Sequence, residues 1–289
     1  MAALDTYRYL RGGMAVMIVL LGAAVVAERV GADCWQTTIS DYYYTSAHAV
    51  FIASVCAVGA MLIVYKGSSA TEDVLLNFAG ILAFVVAMVP TTRPELLCGP
   101  TRLIAGDDAA VRNVWAVVIA LVVSRVASWW MYRRTGTTRE RPPLATAATW
   151  LQRVVLGVGV AILVAAPEWF RANAHGVAAV AMFASIIATV LITAFVTGNQ
   201  DQAKCPQRRR YQAAYRAIAA AMALALGTAV VLHLVLDGFN HAIIVIEAAL
   251  ILLFGVYWLV QTVELWGTTT RAQLMPDVVA RRSRILQAL

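Results

Sequence analysis

Four histidines and a few acids are the side chains in this 289-residue sequence best suited to binding or catalysis. His48, His175, His233 and His241 each fall near one end of an apolar run, with Asp41, Asp237 and Glu247 close to them along the chain. His233 and Asp237 are spaced i,i+4, which sets two side chains on one helix face. Histidine paired with carboxylate serves as a proton relay or as a metal-ligand set. A zinc site drawn from His48, His175, His233, Asp237 and His241 would suit an intramembrane lipid hydrolase. Read without a metal, the same groups line a polar pocket centred on Glu247. That carboxylate lies well inside an apolar run, where an ionisable group ordinarily faces a cavity or a partner. Its expected companion is His48 or His233. Arg125, the other charge within a run, is near enough to a helix end to snorkel, and is read as structural.

The signatures of soluble enzymes are missing: there is no Walker loop, no G-x-S-x-G, no H-E-x-x-H and no C-x-x-C. The two lysines, Lys66 and Lys204, lie outside the apolar runs, which excludes a Schiff-base cofactor at mid-membrane. No cofactor is expected unless the histidines hold zinc.

Composition decides what must position these residues. Apolar residues make up 61% and charged residues 13%, with a mean hydropathy of +0.73, whereas soluble domains are roughly 45–50% apolar and about 25% charged. The chain is therefore a membrane protein, and its net charge of +7 is no nucleic-acid footprint. Runs long enough to cross about 30 Å of hydrocarbon occur near 11–30, 46–65, 74–92, 112–132, 151–168, 175–197, 212–236 and 240–263. The period-two alternation of a membrane barrel is absent. The expectation is an all-α bundle of about eight spans over residues 1–270, followed by a basic tail over 271–289. The first span competes with a signal peptide, but no clean A-x-A cleavage site follows it, so it is read as retained. Gly157 and Gly159 lack the third glycine of a nucleotide loop and read as a helix-packing site.

Basic residues set the orientation. Arg8, Arg11, Lys66, Arg133, Arg134, Arg139, Arg141, Lys204, Arg208, Arg209, Arg210, Arg271, Arg281, Arg282 and Arg284 all fall on one side if eight spans are right. Both termini are expected in the cytoplasm of a cell with an inner plasma membrane. Cys34 and Cys98 then share the opposite, oxidising side and are expected to pair, while Cys56 lies within a span and Cys205 in a cytoplasmic loop. The eight tryptophans fall near span ends, as anchoring belts do. The tail after Pro276 mixes apolar and arginine residues, which suits a helix lying on anionic lipid. Heavy arginine, alanine and valine use hints at a bacterial, GC-rich genome.

The stretch Ile39-Ser40-Asp41-Tyr42-Tyr43-Tyr44-Thr45 is the most distinctive in the chain. Here the sequence resembles a family of uncharacterised bacterial multi-pass proteins with an I/L-S-x-Y-Y-Y-T segment before the second helix. The likeness continues through Val50-Phe51, Gly59, Tyr65-Lys66-Gly67, Glu72-Asp73, Asn77, Ala79-Gly80 and Pro90-Thr91. It resumes at His175, Tyr215, Glu247, Phe254-Gly255 and Trp258-Leu259-Val260. It covers about half the chain and implies six helices, with spans four and five inserted. That arrangement conflicts with a faint four-plus-four self-similarity between the halves. The resemblance draws interest to Tyr42, Tyr43, Tyr44, Asn77 and Glu247 and assigns them no role; Asn77 rests on it alone.

Three function classes stand at this point. The first is a non-enzymatic carrier or sensor with an outward polar pocket for a small molecule or lipid. The second is the zinc hydrolase, although the seven-helix ceramidase-like hydrolases carry an H-x-x-x-H pair that is absent here. The third is an accessory subunit docking a membrane-protein partner through basic linkers. All three place the chain in a lipid bilayer.

Overall fold

The structure, a computed structural model, describes residues 2–93, 98–99, 108–135, 142–235 and 241–276. Among these residues eight helices follow in order: α1 (Ala2–Ala32), α2 (His48–Val64), α3 (Ala70–Met88), α4 (Asp108–Thr135), α5 (Pro143–Ala165), α6 (Pro167–Gly198), α7 (Arg208–Val235) and α8 (Ala242–Glu264). Two single 3-10 turns accompany them, a cap turn at Ser40–Tyr44 and a tail turn at Arg271–Leu274. Seven of the helices are long and apolar enough to cross a membrane, and α2, at 17 residues, is shorter. The chain is an all-α, multi-pass membrane protein. Asp237 and the tail beyond Pro276 lie outside the described residues.

Local chemistry explains several boundaries. Ser69 and Glu72 form a reciprocal capping box that starts α3. Pro143 and Pro167 stand in the first turns of α5 and α6, where a missing N–H costs nothing. Pro167 therefore divides what reads in sequence as the end of span five, and Glu168 belongs to the first turn of α6.

Six helices close a ring in the order α1, α2, α3, α6, α7, α8 and back to α1. Its interior is filled by side chains, among them Met14, Leu62, Leu76, Val190, Met222 and Trp258, all essentially inaccessible. The tightest crossing joins α2 to α3, where a Cβ added at Gly80 would stand 2.5 Å from the Gly59 carbonyl oxygen. Only glycine lets the two backbones approach so closely.

Helices α4 and α5 lie outside the ring against α3 and α6. The helices thus pack as six plus two, and the four-plus-four division does not describe them. Near α4's start, Val114 joins Val89, Leu163, Phe170 and Ala174 in a small apolar cluster. Gly157 and Gly159 of α5 have nothing within 4 Å of an added Cβ. This corrects the helix-packing reading: neither glycine sits at a close approach to another helix. Trp258 likewise corrects the belt reading, because it is wholly buried against Tyr65, Phe254 and Tyr257 inside the ring.

The ring has two chemically distinct ends. At the basic end, the start of α1, the α2–α3 and α6–α7 turns and the segment after α8 are tied together: Arg8 donates to Trp266 O, Lys204 to Met275 O, and the Asp201 N–H to Leu274 O. At the opposite end lie the cap turn, the disulfide and the histidines.

Candidate functional site

The segment between α1 and α2 folds over the histidine end as a cap. Cys34 and Cys98 are joined by a disulfide with a Cα separation of 6.0 Å. Gln36 clamps the Cys98 backbone in both directions, donating to its carbonyl at 2.8 Å and accepting its N–H at 3.2 Å. Asp41 stabilises the turn from within, accepting from the Thr37 hydroxyl and, at 2.9 Å, the Thr38 N–H. The Thr38 hydroxyl in turn accepts the Asp41 N–H at 3.1 Å. Side-chain to backbone bonds of this sort are what aspartate and threonine bring to turns. Burial pushes the Asp41 pKa above the ordinary carboxylate value, and the Thr37 and Thr38 donors and nearby His175 only partly offset it.

Two histidines anchor this cap. His175 of α6 donates from Nδ1 to Val89 O at 2.7 Å. Because a carbonyl can only accept, that bond assigns the proton to Nδ1 and leaves Nε2 to accept from Ser40 Oγ at 2.8 Å. A serine held by histidine is also the arrangement of a nucleophile and its base. Here the ring is buried and its other nitrogen meets a carbonyl rather than a carboxylate, so the pair fastens the cap to α3 and α6. His48 contacts Tyr43 O at 2.5 Å and stacks edge-on with the Tyr43 ring.

Glu247 of α8 completes the seam. Its Oε2 accepts the Ile39 N–H at 2.7 Å, and its Oε1 lies 4.0 Å from His233 Nε2 of α7. Both side chains are partly exposed. His233 contacts its own helix through Nδ1, 2.9 Å from Ala229 O. Beside the cap a pocket of about 390 Å³ opens between the ends of α1 and α2, lined by Ala24, Ala27, Glu28, Gly31, Ser46 and Val50. The Ser46 hydroxyl donates to Glu28 across it.

The tyrosines divide: Tyr42 and Tyr43 of the cap turn are buried, and Tyr44 is half-buried and donates to Thr91 O at 2.6 Å. Asn77 lies apart, near the basic end of α3, where it donates to Asp73 O of its own helix. His241 precedes α8 as its N-cap residue. Among the described residues, no three His, Cys, Asp or Glu side chains group as a metal site requires. Asp237 lies outside those residues.

A second polar cluster, at the basic end, is absent from the sequence reading. Arg271, which heads the stretch read there as a basic tail, is fully buried. It grips Glu264 with two parallel bonds, Nε to Oε1 at 3.2 Å and Nη2 to Oε2 at 2.6 Å. Tyr215 donates to Glu264 at 2.6 Å and Gln200 at 2.6 Å, while Arg271 also reaches Thr197. Burial works against the Arg271 charge, but Glu264, Tyr215 and Glu72 outweigh it, holding its pKa well above the ordinary value. Glu72 accepts from Ser68 and Ser69 N–H and from Thr193, whose oxygen contacts Tyr257 at 3.2 Å. Buried Arg11 donates to the carbonyls of Leu265, Thr268 and Thr269. The sequence signal for this cluster was faint: Glu72 and Tyr215 appeared only among the resemblance positions.

Comparison with family models, with curated proteins and with solved structures finds no match to this chain. The likeness at Tyr42–Tyr44 accordingly brings no family and no activity to it.

Proposed function

We propose that the chain is a non-enzymatic membrane receptor, sensing a small polar or amphiphilic ligand at its histidine end. The arginine-rich loops turn the basic end to the cytoplasm by the positive-inside rule, and the histidine end outward from a bacterial inner membrane. The observation that carries this reading is Glu247, whose carboxylate holds the cap through the Ile39 N–H while His233 stands at its other oxygen. A ligand that offers Glu247 a better donor releases the cap at that point, with the disulfide keeping the segment attached. Because only differential binding shifts such an equilibrium, the ligand must prefer the released form. The filled ring weighs for sensing over carriage, since a carrier needs a path between its ends and this interior is packed with side chains.

The test is a thermal-shift screen of small amines, sugars and amphiphiles on purified protein, paired with hydrogen exchange across residues 36–47. Ligands should stabilise the wild type and lose at least about tenfold in affinity, or 1.4 kcal/mol, in Glu247→Gln and His233→Ala. They should also change exchange in the cap. Equal binding by wild type and variants, or ligand binding that leaves cap exchange unaltered, would sink the reading.

A further inference from the structure

The two helices outside the ring carry charge where the bilayer is apolar. Along α4, residues 122–135 are exposed on every face, and Arg125 sits among Val122, Val123 and Val126. Along α5, Arg153 is exposed between Leu151 and Val154. Each arginine lies ten residues from its helix's basic end, at Thr135 and Pro143 respectively, or about 15 Å of helix. The two arginines thus stand equally far along their helices from the basic end, and both helices pack against α3 and α6 rather than along one another.

Nearer that end come exposed Trp129, Trp130 and Trp150, and each carries a guanidinium over its ring: Arg133 at 4.5 Å, Arg134 at 4.1 Å and Arg153 at 5.2 Å. No acid lies along α5, and the one acid of α4, Asp108, stands at the opposite end. Among the described residues no ion pair or hydrogen bond serves Arg125 or Arg153.

An unpaired arginine within a span is costly and ordinarily finds a partner. The partner here must be anionic, reachable from below the headgroup layer, and able to cover apolar helix on both sides. We propose that the basic ends of α4 and α5 bind anionic phospholipid, its phosphate drawn to Arg125, with Arg133 and Arg134, along α4 and to Arg153 along α5. Its acyl chains lie along the exposed valines of the two helices. The guanidinium fork matches phosphate oxygens two at a time, the tryptophans stand at headgroup level, and basic pockets between membrane helices bind such headgroups. A carboxylate on a partner helix would need to be buried at the same depth, whereas snorkelling arginines reach a headgroup phosphate from where they stand.

The full-length protein in mild detergent would be titrated with phosphatidylglycerol, cardiolipin or phosphatidylcholine and read by native mass spectrometry and melting temperature. The expected result is retained anionic lipid and a raised melting temperature, with at least tenfold weaker retention in Arg125→Gln/Arg153→Gln. Arg209→Gln/Arg210→Gln, on the α6–α7 side, should retain lipid as the wild type does. Equal melting temperatures of all proteins in phosphatidylcholine alone would establish that the variants are folded. Equal retention by the Arg125/Arg153 variant, no preference for anionic over zwitterionic lipid, or the same stabilisation by inorganic phosphate would overturn the proposal. So would an acidic membrane protein captured by a photocrosslinker at position 125.

Discussion

Arg271 and Glu264 carry the sharpest residue-scale consequence. Both side chains are wholly inaccessible, so removing one leaves the other as an uncompensated buried charge, a loss of about 3–5 kcal/mol. Glu264→Ala should lower the unfolding free energy of the purified protein in detergent by that amount, read from a denaturant titration. Asp33→Asn, which weakens the exposed Arg29 pair, should leave that free energy almost unchanged. A double cycle with Arg271→Ala isolates the coupling, and additive losses would show that the two groups do not act as a pair. Burial depth was partly legible in the sequence: Glu247 lies inside a run, and His233 of the preceding helix stands 4.0 Å from it. Arg271 was not legible, because it follows the last span among other arginines. Its burial depends on the chain turning back over the basic end, which no local pattern records.

At the scale of elements, the close approach of α2 and α3 makes a backbone prediction. A methyl group at Gly80 meets the Gly59 carbonyl and Ile63, so Gly80→Ala forces the helices apart and should cost about 1–3 kcal/mol. Gly157→Ala meets nothing and should stabilise α5 by up to about 1 kcal/mol through helix propensity alone. Thermal unfolding of the two variants checks both signs, and a destabilised Gly157→Ala would mean that α5 packs against something. In sequence these glycines look alike, each sitting in an apolar run. The boundaries were more legible where a single turn sets them, as Ser69 with Glu72 does for α3 and Pro143 does for α5. Pro167 is the exception: the apolar run read as span five extends past it to residue 168, although the proline already opens α6.

For the whole molecule, the ring order implies that α4 and α5 are dispensable to the core. Helix α3 ends and α6 begins at the histidine end, so a short flexible link replacing residues 108–165 spans between them while keeping Cys98. That variant should remain monodisperse by size exclusion and keep its cap disulfide, with a melting temperature lowered by the lost cluster of Val114 and Leu163 with Val89 and Phe170. Aggregation on extraction would show that the six helices cannot close alone. Composition and hydrophobic run length by themselves determined that this is an all-helical membrane protein with histidines at one end. Both follow from the cost of placing backbone and charge in hydrocarbon, which acts residue by residue along the chain. The tertiary structure decided which six helices close the ring, that Trp258 and Arg271 turn inward, and that the cap closes on Glu247. Those outcomes depend on contacts between residues far apart in sequence, where side-chain shape and hydrogen-bond partners, rather than hydropathy, discriminate among helices that are all apolar enough to span.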